Sequence, residues 1–247
     1  MNLESPFILV VDDEPDNCSN LRDILTDLGF RVDTALDGPA ALELVRQRRY
    51  DVALLDLMMP GMDGAALYGE LRRVRSGTVA LIVTAYPNSP RAEHALASGA
   101  WKVVPKPVEL PSLLALVEEA VRQPLVLVVD DDPDLCANLW DLLHERSFRV
   151  CVANDVRTAA ERLQTDNAFQ VIVLDMKLPD GDGTQVLRQA RRANPQSRVV
   201  LITAYHAELE PRIAQALAEG AQAVIRKPFD VPALLTTLKR LAAEQSD

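Results

Sequence analysis

The sequence predicts two tandem α/β domains, each with five strand–helix units on a mostly parallel, doubly wound sheet. Three observations carry this. Four blocks of sequence recur in the same order; short β-branched apolar runs alternate with helical patterns inside each copy; and those runs are continuously apolar, as strands covered by helices on both faces must be. The 247 residues suit two ordinary domains of roughly 100–200 residues each.

The repeat is explicit. ILVVDDEPDNC at Ile8–Cys18 returns as VLVVDDDPDLC at Val126–Cys136, and DVALLDLMMPGMDG at Asp51–Gly64 as QVIVLDMKLPDGDG at Gln170–Gly183. LIVTAY at Leu81–Tyr86 returns as VLITAY at Val200–Tyr205, and PKPVELP at Pro105–Pro111 as RKPFDVP at Arg226–Pro232. Asp12 and Asp56 are 44 residues apart and Asp130 and Asp175 are 45 apart; Thr84 and Thr203 each follow 28 residues later. Lys106 trails Thr84 by 22 residues and Lys227 trails Thr203 by 24, which implies a small insertion after the fourth strand of the second copy. Each copy is long enough to hold its own core, so this is a domain duplication and not a solenoid.

In copy one the strands are expected at Phe7–Val11, Arg31–Ala35, Val52–Leu55, Ala80–Val83 and Lys102–Val104, each followed by a helix. Leu113, Leu114, Leu116, Val117, Ala120 and Val121 form the apolar stripe of the last helix, opened by Pro111 in its first turn. Leu234, Leu235, Leu238 and Leu241 repeat that stripe after Pro232. Only Gln123-Pro124 separates the last helix of copy one from the strand that opens at Leu125. The boundaries are therefore 1–123 and 124–247, with a stiff junction that predicts a fixed or narrowly hinged pair.

Composition excludes several classes. Hydrophobic residues make up 48% and charged residues 25%, the balance of a globular chain with a real core. No apolar run reaches the roughly 18–20 residues of a membrane span, and MNLESPF lacks a signal-peptide pattern, so a cytoplasmic location is expected. A net charge of −10 repels a nucleic-acid backbone. Cys18, Cys136 and Cys151 are too few for a disulfide framework and read as small core residues.

The acids carry the chemistry. Asp12 and Asp13 follow the first strand, Asp56 ends the third, Thr84 ends the fourth and Lys106 follows the fifth. Ligands of open α/β sheets bind at the carboxyl ends of strands where the strand order reverses, so an order of 2-1-3-4-5 would gather all five. Three carboxylates against one ammonium leave two negative charges uncompensated. Each close pair costs about 4 kcal/mol at an effective dielectric near 20. A Mg²⁺ ion, with its preference for oxygen ligands, restores neutrality. Such a site suits phosphoryl transfer, with Asp56 as the central nucleophile that becomes an aspartyl phosphate.

Each half resembles the receiver domain of two-component response regulators, which has an acidic pair after strand one and an acceptor Asp ending strand three. Its Ser/Thr ends strand four, and Lys-Pro follows strand five. The resemblance implies a flavodoxin-like strand order of 2-1-3-4-5, for which a receiver protein is itself a standard example. It implies that Asp13, Asp56 and the carbonyl of Met58 hold Mg²⁺ (or Mn²⁺), with Asp12 acting mostly through water. Asp56 then accepts phosphate from a phosphohistidine, Thr84 and Lys106 contact the phosphoryl oxygens, and the Lys106–Pro107 bond is cis. In copy two these roles fall to Asp131, Asp175, the carbonyl of Lys177, Asp130, Thr203, Lys227 and Pro228. Val103 and Val224 stand where many family members carry an aromatic switch residue, so the resemblance stops short of that device. Met58 and Lys177, with Tyr86 and Tyr205, flank the path of an attacking water, which predicts a long-lived phosphoryl state.

Other features have plainer readings. His144-Glu145-Arg146 ends an ordinary helix. His94 and His206 are solvated, as are Arg72, Arg73 and Arg75 at a helix end. The Gly64 and Gly183 segments simply start helices. The expected function is a tandem phosphoacceptor switch, not an enzyme beyond self-catalysed transfer and slow autodephosphorylation. Its partners are a sensor histidine kinase or histidine phosphotransfer protein and a downstream protein, with a homodimer through the last helices left open. The alternatives are the receiver portion of a hybrid kinase, a scaffold that never carries phosphate, and a hydrolase with an aspartyl-phosphate intermediate.

Overall fold

A computed structural model of the chain describes residues 5–75, 77–165, 168–204 and 210–244. It divides into two compact units, Met1–Gln123 and Pro124–Asp247. The first runs β1 (Phe7–Val11), α1 (Pro15–Asp27), β2 (Arg31–Ala35), α2 (Gly38–Gln47), β3 (Val52–Asp56), α3 (Gly64–Val74), β4 (Val79–Thr84), α4 (Pro90–Ala97), β5 (Lys102–Pro105) and α5 (Leu110–Arg122). Its sheet is parallel in the order β2-β1-β3-β4-β5.

The second unit runs β6 (Leu125–Val129), α6 (Pro133–His144), β7 (Arg149–Ala153), α7 (Val156–Thr165), β8 (Val171–Asp175), β9 (Lys177–Leu178), β10 (Gly181–Asp182), α8 (Gly183–Ala193), β11 (Arg198–Ala204), α9 (Glu210–Ala218), β12 (Ala223–Lys227) and α10 (Val231–Ala243). Its five-stranded parallel sheet has the order β7-β6-β8-β11-β12, the same topology. The β9–β10 pair is a short antiparallel hairpin that the repeat did not announce.

Burial explains the continuous apolar runs. Along β1, Leu9 and Val11 pack into a core shared with Ala41, Val45, Leu67, Leu71, Ala92 and Ala95 of α2, α3 and α4. Ile8 and Val10 point to the opposite core, with Cys18, Leu25, Leu113 and Val117 of α1 and α5. In unit two, Leu127 and Val129 face α7, α8 and α9, whereas Val126 and Val128 face α6 and α10. Each face buries its own side chains, at about 1.5–3 kcal/mol for a fully buried aliphatic residue. All three cysteines are buried.

Two expectations need correction. Of the three arginines assigned to a solvated helix end, only Arg73 is exposed. Arg72 donates to the Ser98 carbonyl (3.2 Å) and Arg75 to the Val45 carbonyl (3.3 Å), so both tie the end of α3 to neighbouring segments. Two strands also run further than the apolar pattern suggested: β4 opens on Val79 and β5 closes on Pro105, because ladder pairing reaches Val52 and Thr84, while β3 and β4 end on Asp56 and Thr84 as expected. Tyr205 and His206 lie outside the described residues. His94 is exposed on α4, and His144 stacks on Trp140 at 4.5 Å.

Candidate functional site

Strand register gathers the polar residues. Asp12 is the first residue past β1, and Asp56, paired with Val83, closes β3. Thr84 is one step further along β4, paired with Pro105, and Lys106 N–H donates back to the Thr84 carbonyl at 2.8 Å. The carboxyl ends of β1, β3, β4 and β5 thus deliver Asp12, Asp56, Thr84 and Lys106 to one edge of the sheet. Asp12, Asp56 and Thr84 are buried, and Asp13 is exposed.

One oxygen from each of Asp12, Asp13 and Asp56 lies within 4.8 Å of the others, and Asp130, Asp131 and Asp175 repeat the arrangement. Lys106 Nζ sits 2.8 Å from Asp12 Oδ2 and 3.1 Å from Asp56 Oδ1. Lys227 Nζ bridges Asp130 and Asp175 at 2.6 Å each. Both Lys–Pro bonds, Lys106–Pro107 and Lys227–Pro228, are cis. Thr84 Oγ1 accepts from the Tyr86 N–H (3.1 Å), and Thr203 Oγ1 donates to the Ala204 carbonyl (3.2 Å). Lys177 N–H donates to Asp175 Oδ1 at 2.9 Å.

Burial pushes the Asp56 carboxyl up, a rise that the Lys106 hydrogen bond only partly offsets. Burial likewise raises Asp130 against the pull of Lys227. For Lys106 and Lys227 burial acts to lower the pKa, yet hydrogen bonds and attraction from the two flanking aspartates outweigh it and leave both ammonium groups raised. One ammonium therefore serves two buried carboxylates in each unit, with a third close by. Three oxygen donors with surplus negative charge suit a hard divalent cation such as Mg²⁺, and the donor set fits it.

The glycine that opens the following helix is part of the site. Asp63 caps α3 by accepting from Ala66 N–H at 2.8 Å, and Gly64 lies against the end of β3. A Cβ on Gly64 would collide with the Asp56 carbonyl oxygen, and one on Gly183 would lie 2.7 Å from the Asp175 carbonyl oxygen. Gly64→Ala is expected to lower the stability of its unit by about 1–3 kcal/mol through overpacking. A urea melt of the variant checks this; an unchanged midpoint would refute the close approach.

Sequence reasoning missed Asn17. Its Nδ2 lies 3.1 and 3.2 Å from the two carboxylate oxygens of Asp12 and 3.1 Å from Glu14 Oε2. The signal was present, since Asn17 is the one polar residue in its block that becomes apolar in the repeat, as Leu135. A cavity of about 290 Å³ beside Asn17 is also lined by Leu21, Leu54, Asp56, Pro107 and Val108.

A family model described as the response regulator receiver domain matches residues 8–118 and again 126–239. The chain belongs to the response regulator receiver family. It carries two receiver domains in tandem, parts of the two-component signalling repertoire. A response regulator receiver protein of Anaeromyxobacter sp. (strain Fw109-5) is 38% identical over 96% of this chain and 95% of its own length. The transcriptional regulatory protein ZraR of Escherichia coli (strain K12) is 38% identical over 46% of this chain, a match that spans only 26% of ZraR. A CheY-like receiver domain from Methanospirillum hungatei JF-1 is 27% identical, covers 47% of this chain and 94% of its own, and superposes with a TM-score of 0.46. Among the described residues no receiver helix is long and apolar enough to cross a membrane.

Within the receiver frame, Val103 and Val224 are half-buried and pack against the α4-side and α9-side cores. Met58 and Tyr86 are exposed, and Arg91 reaches the Met58 sulfur at 3.4 Å.

Proposed function

We propose that each receiver, residues 1–123 and 124–247, is a Mg²⁺-dependent phosphoacceptor, with Asp56 and Asp175 as the acceptors. The supporting observation is the duplicated cluster of two buried aspartates bridged by one lysine, with a third carboxylate within 4.8 Å. An Asp56 carboxylate oxygen attacks phosphorus, the P–N bond of a phosphohistidine breaks, and the electron pair leaves with the imidazole. Asp12, Asp13 and Asp56, with the Met58 carbonyl, would hold the ion, and Asp130, Asp131, Asp175 and the Lys177 carbonyl its counterpart. The ion supplies charge neutralisation on the phosphoryl oxygens. Lys106 shifts from balancing Asp56 to balancing the new phosphoryl charge, and the Thr84 hydroxyl offers a second donor at the neighbouring strand end. Thr203 and Lys227 do the same in the second receiver.

The donor is a histidine kinase or histidine phosphotransfer protein, and output passes by protein–protein contact. Incubation with Mg²⁺ and a small phosphodonor followed by intact mass measurement tests the reading. Two phosphoryl additions are expected, one lost in Asp56→Asn and the other in Asp175→Asn; no addition would leave a receiver-fold scaffold. The phosphoryl group on Asp56 is expected to persist in a radiolabel chase, because Met58 and Tyr86 are bulky residues at the two positions flanking the water path. Loss within seconds would refute that.

A further inference from the structure

The two receivers differ in how much of the first aspartate is free. An ionised carboxylate offers about four lone-pair positions. Asp12 Oδ1 accepts from Glu14 N–H (3.0 Å) and Asn17 Nδ2 (3.1 Å); Oδ2 accepts from Lys106 Nζ (2.8 Å) and Asn17 Nδ2 (3.2 Å). The Asn17 amide has two hydrogens for three acceptors. One serves Glu14 Oε2 and the other is shared across both oxygens of Asp12. In the second receiver, among the described residues, Asp130 accepts only from Asp132 N–H (3.1 Å) and Lys227 Nζ (2.6 Å). Leu135, at the Asn17 position, packs on the α6–α10 core, and its side chain has no donor to give. Asp132, the Glu14 counterpart, turns away to cap α6 through the Asp134 and Leu135 N–H groups.

We propose that Asn17 is a positioning residue that weakens the response of the first receiver to Mg²⁺, so that the second receiver takes up the ion at lower concentration. This rests on the metal-dependent reading above. A second donor that leaves a carboxylate lone pair free orients the ligand and strengthens metal binding. Asn17 instead straddles both oxygens of a carboxylate already engaged by a lysine and a backbone amide, so a cation, or the water through which it reaches Asp12, must displace a hydrogen bond. Asp130 carries no such debt.

The test is a Mg²⁺ titration of the ¹⁵N-labelled full chain, followed at the amides of Glu14 and Asp132, which report Asp12 and Asp130 separately. The Glu14 midpoint is expected about fivefold above that of Asp132, the worth of one ordinary hydrogen bond. Asn17→Leu installs the residue that the repeat already uses, and is expected to bring the Glu14 midpoint down while leaving Asp132 in place. Leu135→Asn is expected to raise the Asp132 midpoint. A Glu14 midpoint that stays put or rises in Asn17→Leu overturns the proposal while leaving the receiver reading intact. If neither amide responds to Mg²⁺, the metal-dependent reading itself falls.

Discussion

Replacing Lys106 with methionine is expected to cut phosphoryl loading of Asp56 by about 10²–10³-fold, the usual effect of removing one preorganised charge-stabilising donor. Loading of Asp175 continues, since Lys227 serves its own unit. The same substitution leaves Asp12 and Asp56 facing each other without their shared ammonium. Breaking a buried ion pair costs about 3–5 kcal/mol. Here the lysine side chain is 27% exposed, so solvent screening brings the expected loss in the metal-free protein to about 1–3 kcal/mol. Saturating Mg²⁺ should recover much of it, because the ion replaces the missing positive charge. Mass spectrometry reads the loading, and urea unfolding with and without EDTA reads the stability. Equal loading of both receivers in Lys106→Met would remove the lysine from the mechanism.

Asp56→Asn is expected to abolish loading of the first receiver and, in the metal-free protein near neutral pH, to stabilise it by about 0.5–2 kcal/mol, as when a strained functional site is relaxed. The sign follows from the raised carboxyl. Folding favours the protonated form of Asp56, so its contribution is fully present below the unfolded value of about 3.8 and is lost as pH rises through the higher folded value. Asparagine cannot titrate, so the gap between wild type and variant should narrow toward acid pH. Trp101 and Trp140 are the only tryptophans, and a Trp140→Phe background leaves Trp101 to report the first unit. A variant less stable than the wild type in EDTA would show that ionised Asp56 is a net stabiliser.

Much of this was legible in one sequence because the chain contains its own comparison. DDEPDNC beside DDDPDLC, and the MPGMDG and LPDGDG turns at matching distances, fix which residues must coincide in space before any coordinate is known. Continuous apolar runs such as ILVV and VIVL identify strands buried on both faces, which excludes a one-sided sheet. The apolar signal could not say where β4 opens or β5 closes, since Val79 and Pro105 join the ladder by pairing, a long-range property. It also misjudged Arg72 and Arg75, whose carbonyl partners at Ser98 and Val45 are distant in sequence.

Sequence by itself determined the duplicated domain, the strand–helix rhythm and the identity of the acids, the threonine and the lysine, because those depend on residue type and spacing. Tertiary structure alone decided how the charges are shared: Lys106 leaning toward Asp12, Lys227 equidistant from its two aspartates, and Asn17 closing over a carboxylate that its repeat leaves open. Hydrogen bonds are lost over tenths of an ångström, and no spacing between residues along the chain resolves that.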